Sequence, residues 1–147
     1  MMQRKETASR VHSGDAARPI RVVMIDDAVL MTQVVSGLLQ DEEGIEVVGT
    51  ASTGEAGIAL VRREHPDVLL LDLDLPDLDG IQVAARLRRD APEVRIVVLT
   101  GYDMPWAWDQ LDAIGVHGYV LKHSPIELLV AAIREAAATS PQHRQPS

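Results

Sequence analysis

Between Ile20 and Ala138 the chain alternates short aliphatic runs with segments of helical periodicity, five times over. The runs at 20–25, 45–51, 68–71, 94–99 and 118–121 have the length and the Val, Ile and Leu content of buried strands. Between and after them, apolar residues recur at helical spacing: Met31, Val34, Val35 and Leu38; Ala56, Ala59 and Leu60; Val83, Ala84 and Leu87; Met104, Ala107, Trp108 and Leu111; Ile126, Leu129, Val130 and Ile133. Breakers fall at the joints. Thr53 is placed to cap the second helix and Pro66 to end it; Pro92 ends the third, Pro105 opens the fourth, Gly115 closes it, and Ser124-Pro125 opens the fifth. Strict alternation of this kind predicts an α/β domain with a parallel sheet covered by helices on both faces. The domain is expected over 20–138. The aperiodic, polar segments 1–19 and 139–147 are expected to be disordered tails, the second, with Pro141 and Pro146, resembling a linker remnant.

Four of the runs end in polar signatures: Asp26-Asp27, Asp72, Thr100 and Lys122. The carboxyl ends of strands are where open α/β sheets place their ligands. Side by side, these strands bring three carboxylates, a hydroxyl and an ammonium to one edge, a set suited to a divalent cation and a phosphoryl group. Helix capping alone would explain Asp26-Asp27, but not the coincidence of the other three strand ends.

Other chemistries lack residues. With no Cys there is neither a disulfide nor a thiolate site. The five His (12, 65, 117, 123, 143) show no metal-ligand spacing, and no phosphate loop of the G-x-x-x-x-G-K-[ST] type occurs. A formal charge of −8 without a Lys/Arg patch argues against direct nucleic-acid binding by this chain. No apolar stretch approaches a membrane span, and the start lacks the apolar core of a signal peptide.

Four segments in order, VVMIDD (22–27), PDVLLLDLDLPDLDG (66–80), VVLTGYD (97–103) and GYVLK (118–122), together resemble a response-regulator receiver domain over about residues 20–137. VVGTASTGEAGIAL and LKHSPIEL are most similar to the NarL/FixJ-type branch. The resemblance implies a flavodoxin-like (βα)5 fold, a three-layer sandwich whose five-stranded sheet runs in the order 2-1-3-4-5, the order of flavodoxins and chemotaxis receivers. It implies that Asp72 accepts a phosphoryl group from a sensor histidine kinase or a small phosphodonor. Mg²⁺ would be the cofactor, held directly by Asp27 and Asp72, through water by Asp26, and by the backbone carbonyl of Asp74. Lys122 would neutralise phosphoryl oxygens, Thr100 would hydrogen-bond the phosphate, and Tyr119 would swing inward as Thr100 moves. Asp74 and Tyr102 would tune the lifetime of the phosphoryl group. The readout would be the fourth helix, fifth strand and fifth helix, engaging a downstream protein or forming a homodimer, in the cytoplasm and without membrane contact.

The chain departs from the family on that readout surface. Met104-Pro105-Trp106-Ala107-Trp108 is unusual for the fourth helix. Trp108 falls on the core stripe and Trp106 off it, as an interface candidate. Asp112 stands where the family often has an apolar residue, which challenges that helix's packing. His123 replaces a common Pro, so a trans bond is expected after Lys122. Two rivals arise. Asp72-Leu73-Asp74 imitates the D-x-D nucleophile of haloacid-dehalogenase-type phosphatases, but there the remaining acids follow that motif, whereas Asp26-Asp27 precedes it. The other rival is the receiver half of a DNA-binding regulator; because no helix-turn-helix segment lies in the 147 residues, a stand-alone receiver is the favoured expectation.

Overall fold

The computed structural model describes residues 18–101 and 105–139, without the side chains of Pro105 and Trp106. The order is β1 (Ile20–Ile25), α1 (Val29–Gln40), β2 (Ile45–Ala51), α2 (Gly54–Glu64), β3 (Val68–Leu71), α3 (Gly80–Asp90), β4 (Arg95–Thr100), α4 (Pro105–Ile114), β5 (Gly118–Leu121) and α5 (Ile126–Ala138). The strands pair in parallel in the order β2-β1-β3-β4-β5, the flavodoxin-like arrangement expected. Only β4 shifts from its expected span, by one residue at each end.

Alternate strand residues serve opposite faces, since successive side chains of a strand point to opposite sides. Val23, Ile25, Leu69, Leu71, Ile96 and Val98 pack under α2, α3 and α4. Val22, Met24, Val68, Leu70, Val97 and Leu99 pack under α1 and α5. Being buried on both faces, β3 is aliphatic throughout. Thr53 caps α2 by accepting the Ala56 N–H at 3.1 Å, as its position predicts. His65 ends α2 in the left-handed conformation immediately before Pro66.

Two helices turn a different face inward from the one expected. In α1 the buried residues are Thr32, Val35 and Leu39, while Val34 and Leu38 are exposed. The helix is apolar almost all round, so several stripes fit its sequence and the sheet selects one of them. In α2, Gly57, Ile58, Leu60 and Val61 face inward, and of the expected stripe Ala56 and Ala59 face out with Glu55 and Arg62. A Cβ on Gly57 would lie 2.3 Å from Ile25 Cδ1, so glycine permits α2 to lie directly on β1. In the remaining helices the expected residues Val83, Ala84, Leu87, Ala107, Leu111, Leu129, Val130 and Ile133 are buried, and Trp108 is half-buried against the same core. Met104 lies outside the described residues, as do 1–17 and 140–147, on which most of the two expected tails fall.

Candidate functional site

The ladder itself delivers the polar residues to one edge. Beyond the last paired residues, the Asp26 N–H donates to Ala51 O (3.0 Å), the Asp72 N–H to Ile25 O (2.9 Å) and the Lys122 N–H to Thr100 O (2.7 Å). Each side chain is therefore held by the backbone of a neighbouring strand rather than by a free loop. Thr32 braces the start of α1: its hydroxyl lies 3.1 Å from Ala28 O and 3.4 Å from Asp26 O, to which it donates. On the other side, Gly80 follows the β3 loop so closely that a Cβ would sit 2.4 Å from Leu73 Cα. Asp79 caps α3 in a capping box with Gln82, which fixes the turn that carries Asp74.

One carboxylate oxygen from each of Asp26, Asp27 and Asp72 lies within 4.8 Å of the others. Asp26 and Asp72 are buried and Asp27 is exposed. Lys122 Nζ stands 3.0 Å from Asp26 Oδ2 and 3.3 Å from Asp72 Oδ2. Asp72 Oδ1 accepts the Asp74 N–H at 3.2 Å, and Asp26 Oδ1 accepts the Ala28 N–H at 2.9 Å. An open hollow of about 390 Å³, lined by Asp27, Asp72, Asp74, Pro76, Thr100 and Lys122 among others, lies over these groups.

The electrostatics follow from burial and from an excess of negative charge. Burial pushes the Asp72 carboxyl up from an ordinary 3.8 to about 6; the Asp74 N–H and Lys122 oppose this, and the Asp26 carboxylate reinforces it. Burial alone would lower Lys122, but close contact with Asp26 and the charge of Asp72 outweigh it and hold the ammonium above its usual range. Lys122 is thus a fixed positive charge at any physiological pH. Asp26 Oδ2 is buried, with its ion pair to Lys122 but no aligned hydrogen bond. A hard oxygen left in that state, next to two more carboxylates and open to a polar hollow, fits the needs of Mg²⁺.

The structure brings Asp26, Asp27, Asp72, Asp74, Thr100 and Lys122 to this one place. Tyr119 is not there: its ring packs on Trp108 with centroids 4.5 Å apart, and its hydroxyl donates to the Asp112 carboxylate. Asp112 therefore fits α4 without disturbing the core, because Leu111 and Ala107 fill the inward positions and Asp112 receives a phenol. No cis peptide occurs among the described residues, in line with the expectation for the bond after Lys122. Tyr102 lies outside the described residues, and so does the Trp106 side chain.

Sequence reasoning misses two supports. Asp77 binds the N-terminus of α2 from afar, its carboxylate accepting from Gly54 N (2.7 Å) and Glu55 N (3.0 Å). Those bonds hold its carboxyl below the usual range. Thr32 reads as one more residue of a helix; only its fourth-residue spacing from Ala28 hints at a bond to that carbonyl.

Comparison with known proteins agrees with this geometry. Residues 22–134 match the family described as response regulator receiver domain. The nitrate/nitrite response regulator protein NarP of Escherichia coli is 39% identical over 124 residues, covering 84% of this chain and 58% of that protein. The response regulator GacA of Pseudomonas aeruginosa is 35% identical over 119 residues, 81% of this chain and 56% of its own. The chain thus spans somewhat over half the length of these relatives. The signal receiver domain of the putative response regulator NarL from Mycobacterium tuberculosis superposes with a TM-score of 0.79 at 33% identity, covering 84% of this chain and 99% of that one.

Proposed function

The chain belongs to the response-regulator receiver family, and from that premise we propose that Asp72 accepts a phosphoryl group from a sensor histidine kinase in a Mg²⁺-dependent reaction. The observation that carries this reading is the placement of Lys122 Nζ 3.3 Å from Asp72 Oδ2 beside two further carboxylates. An Asp72 carboxylate oxygen attacks phosphorus; the donor's P–N bond breaks and its electron pair returns to the imidazole. Phosphoryl transfer depends mainly on positioning and on charge at the phosphoryl oxygens. Asp27 and Asp72 would hold the cation directly, Asp26 through water and Asp74 by its carbonyl; when bound, it supplies positive charge to the phosphoryl oxygens. Asp74's N–H orients Asp72, and Lys122 contributes a second positive charge. Thr100, buried at the end of β4, supplies a hydroxyl for the new phosphate.

The added group carries nearly two negative charges and three acceptor oxygens. The switch we assign runs from Thr100 through Tyr119 to the α4–β5–α5 face, where a downstream protein or a second copy would bind and where Trp106 is the contact candidate. Asp74 and Tyr102 would tune the lifetime of the phosphoryl group. This reading places the protein in the cytoplasm; among the described residues no helix is long and apolar enough to cross a membrane. It assigns no turnover beyond self-phosphorylation from small donors and self-dephosphorylation. A second reading, the receiver portion of a DNA-binding regulator, is favoured by the chain's spanning 56–58% of its two curated relatives. The family match sets the phosphatase reading of Asp72-Leu73-Asp74 aside.

Acetyl phosphate with Mg²⁺ is expected to add a single phosphate by intact-mass spectrometry, and Asp72→Asn to add none. Undiminished labelling of the Asp72→Asn protein would overturn the assignment.

A further inference from the structure

Tyr119 and Thr100 stand on the same face of the sheet, on neighbouring strands. The register sets Tyr119 beside Val98 and Leu121 beside Thr100. Side chains alternate along a strand, so Thr100 shares the face of Val98, two residues or about 6.5 Å farther along β4. Tyr119 packs in the same core layer as Val98, under α2, α3 and α4. One pleat of the sheet therefore separates the root of the Tyr119 side chain from that of the buried Thr100.

The ring leans on α4 instead. Trp108 and Asp112 are four residues apart and so share one face of that helix. The Trp108 indole meets the Tyr119 ring with centroids 4.5 Å apart and planes tilted by 47°. The Tyr119 hydroxyl donates to Asp112 Oδ1 and lies 3.4 Å from the Trp108 carbonyl oxygen. A phenol has one proton to give, and a charged carboxylate is a stronger acceptor than a carbonyl already engaged in the helix. Asp112 is itself exposed, while Ala107 and Leu111 fill the inward positions of α4. Its carboxylate therefore acts on the phenol and not on the packing of the helix, where aspartate is a poorer helix former than alanine.

We propose that Asp112 is a positioning residue for Tyr119: its carboxylate clasps the phenol on α4, one turn from Trp108, and restrains it from moving toward Thr100. The inference rests on the receiver reading above and adds to it a group on α4 that sets how readily the switch operates. Phosphoryl uptake favours the state in which Tyr119 has left α4, whereas the clasp stabilises only the state in which it has not. By linkage, the clasp then lowers both the population of the released state and the rate of uptake. Removing it raises both by the same factor until the released state predominates.

Two measurements on the full chain test the proposal: the rate of phosphate uptake from acetyl phosphate at fixed Mg²⁺, and NMR of ring-¹³C tyrosine. The chain has two Tyr, and Tyr119→Phe assigns their resonances. Asp112→Ala is expected to raise the uptake rate about three- to tenfold, as for loss of one exposed charge-assisted bond. In the unphosphorylated protein it should also move the Tyr119 resonance from its place over the Trp108 indole toward that of the phosphorylated wild type. Asp112→Asn, which keeps an acceptor but no charge, should fall between the two. In the Tyr119→Phe protein, which has no hydroxyl to clasp, adding Asp112→Ala should leave the rate unchanged. Circular dichroism establishes that each variant is folded. A wild type that labels at Asp72, with a rate and a Tyr119 resonance that Asp112→Ala does not move, overturns the clasp alone. So does uptake that Asp112→Ala slows, or an acceleration that persists in Tyr119→Phe. A wild type that takes up no phosphate overturns the receiver reading, and the clasp with it.

Discussion

The two ends of the same parallel sheet are built on opposite principles. At the amino-terminal edge, charges and carbonyls are matched. The Asp67 carboxylate accepts from Arg21 N at 2.8 Å and from Arg18 Nη2 at 2.9 Å. Arg21 donates to the carbonyls of Glu64 and His65 and pairs with Glu64 at 3.1 Å. Arg95 closes the end of α5 through the Thr139 carbonyl, at 2.6 and 3.1 Å. At the carboxyl edge, three carboxylates face one ammonium, and a buried oxygen of Asp26 lacks a hydrogen bond. One edge holds the layers together; the other leaves electrostatic stabilisation to be supplied by a ligand. The strands between are the same, so the difference lies in the residues at and just past their ends.

Substitutions at the two edges should therefore have separable effects. The largest is expected for Lys122→Met, which leaves Asp26 and Asp72 without their cation: the rate of phosphate uptake from acetyl phosphate should fall by about a hundredfold, as for loss of one aligned charge donor. A mass-spectrometric time course checks it; an unchanged rate would erase the functional half of the contrast.

Next comes a pH effect confined to the carboxyl edge. Because the Asp72 carboxyl sits at about 6 in the fold against an ordinary 3.8, the folded protein binds that proton more tightly than the unfolded chain. The resulting stability is complete below about pH 4 and is lost as pH rises through about 6, by about 2–3 kcal/mol. Without Mg²⁺, Asp72→Asn should therefore flatten the decline seen in the wild type between those pH values in thermal melts. At pH 7, Mg²⁺ at about ten times its Kd should return about 1.4 kcal/mol to the wild type. Asp77 titrates with the opposite sign: its lowered carboxyl stabilises above the ordinary range and loses that contribution on acidification.

Smaller effects are expected from the matched edge and from the remote cap. Arg21→Ala should cost about 1–2 kcal/mol in denaturant unfolding through its lost carbonyl and carboxylate bonds, with phosphate uptake unchanged. Asp77→Ala should lower the denaturant midpoint slightly as a lost cap, again without altering uptake once the protein is folded. A drop in labelling for folded Arg21→Ala would show that the two edges are coupled.

Much of the carboxyl edge is legible because strand ends are local: a short aliphatic run followed by Asp, Thr or Lys announces both the strand and where its terminal side chain goes. Asp26, Asp72, Thr100 and Lys122 emerge in this way. Asp77 does not, because its partners are the N–H groups of Gly54 and Glu55, 23 and 22 residues away. The pairing of Asp112 with Tyr119 is hidden for a related reason, since it depends on how α4 is turned against β5. Tyr119's position against Trp108 and Asp112 likewise has no signature in GYVLK itself.

Read alone, the chain specifies the α/β alternation, four of the five strand spans, and the residues that meet at the carboxyl edge, because period and strand-end chemistry are written within a few neighbouring positions. Which face of each amphipathic helix is buried is settled only by packing. In α1 the periodicity accommodates Met31, Val34 and Leu38 as readily as Thr32, Val35 and Leu39, and contact with the sheet chooses the second set. That choice leaves Val34 and Leu38 in solvent, turning what reads in the sequence as core into surface. Local spacing cannot settle such a rotation, because a helix apolar on nearly every side satisfies its own hydrogen bonds equally well in any of them.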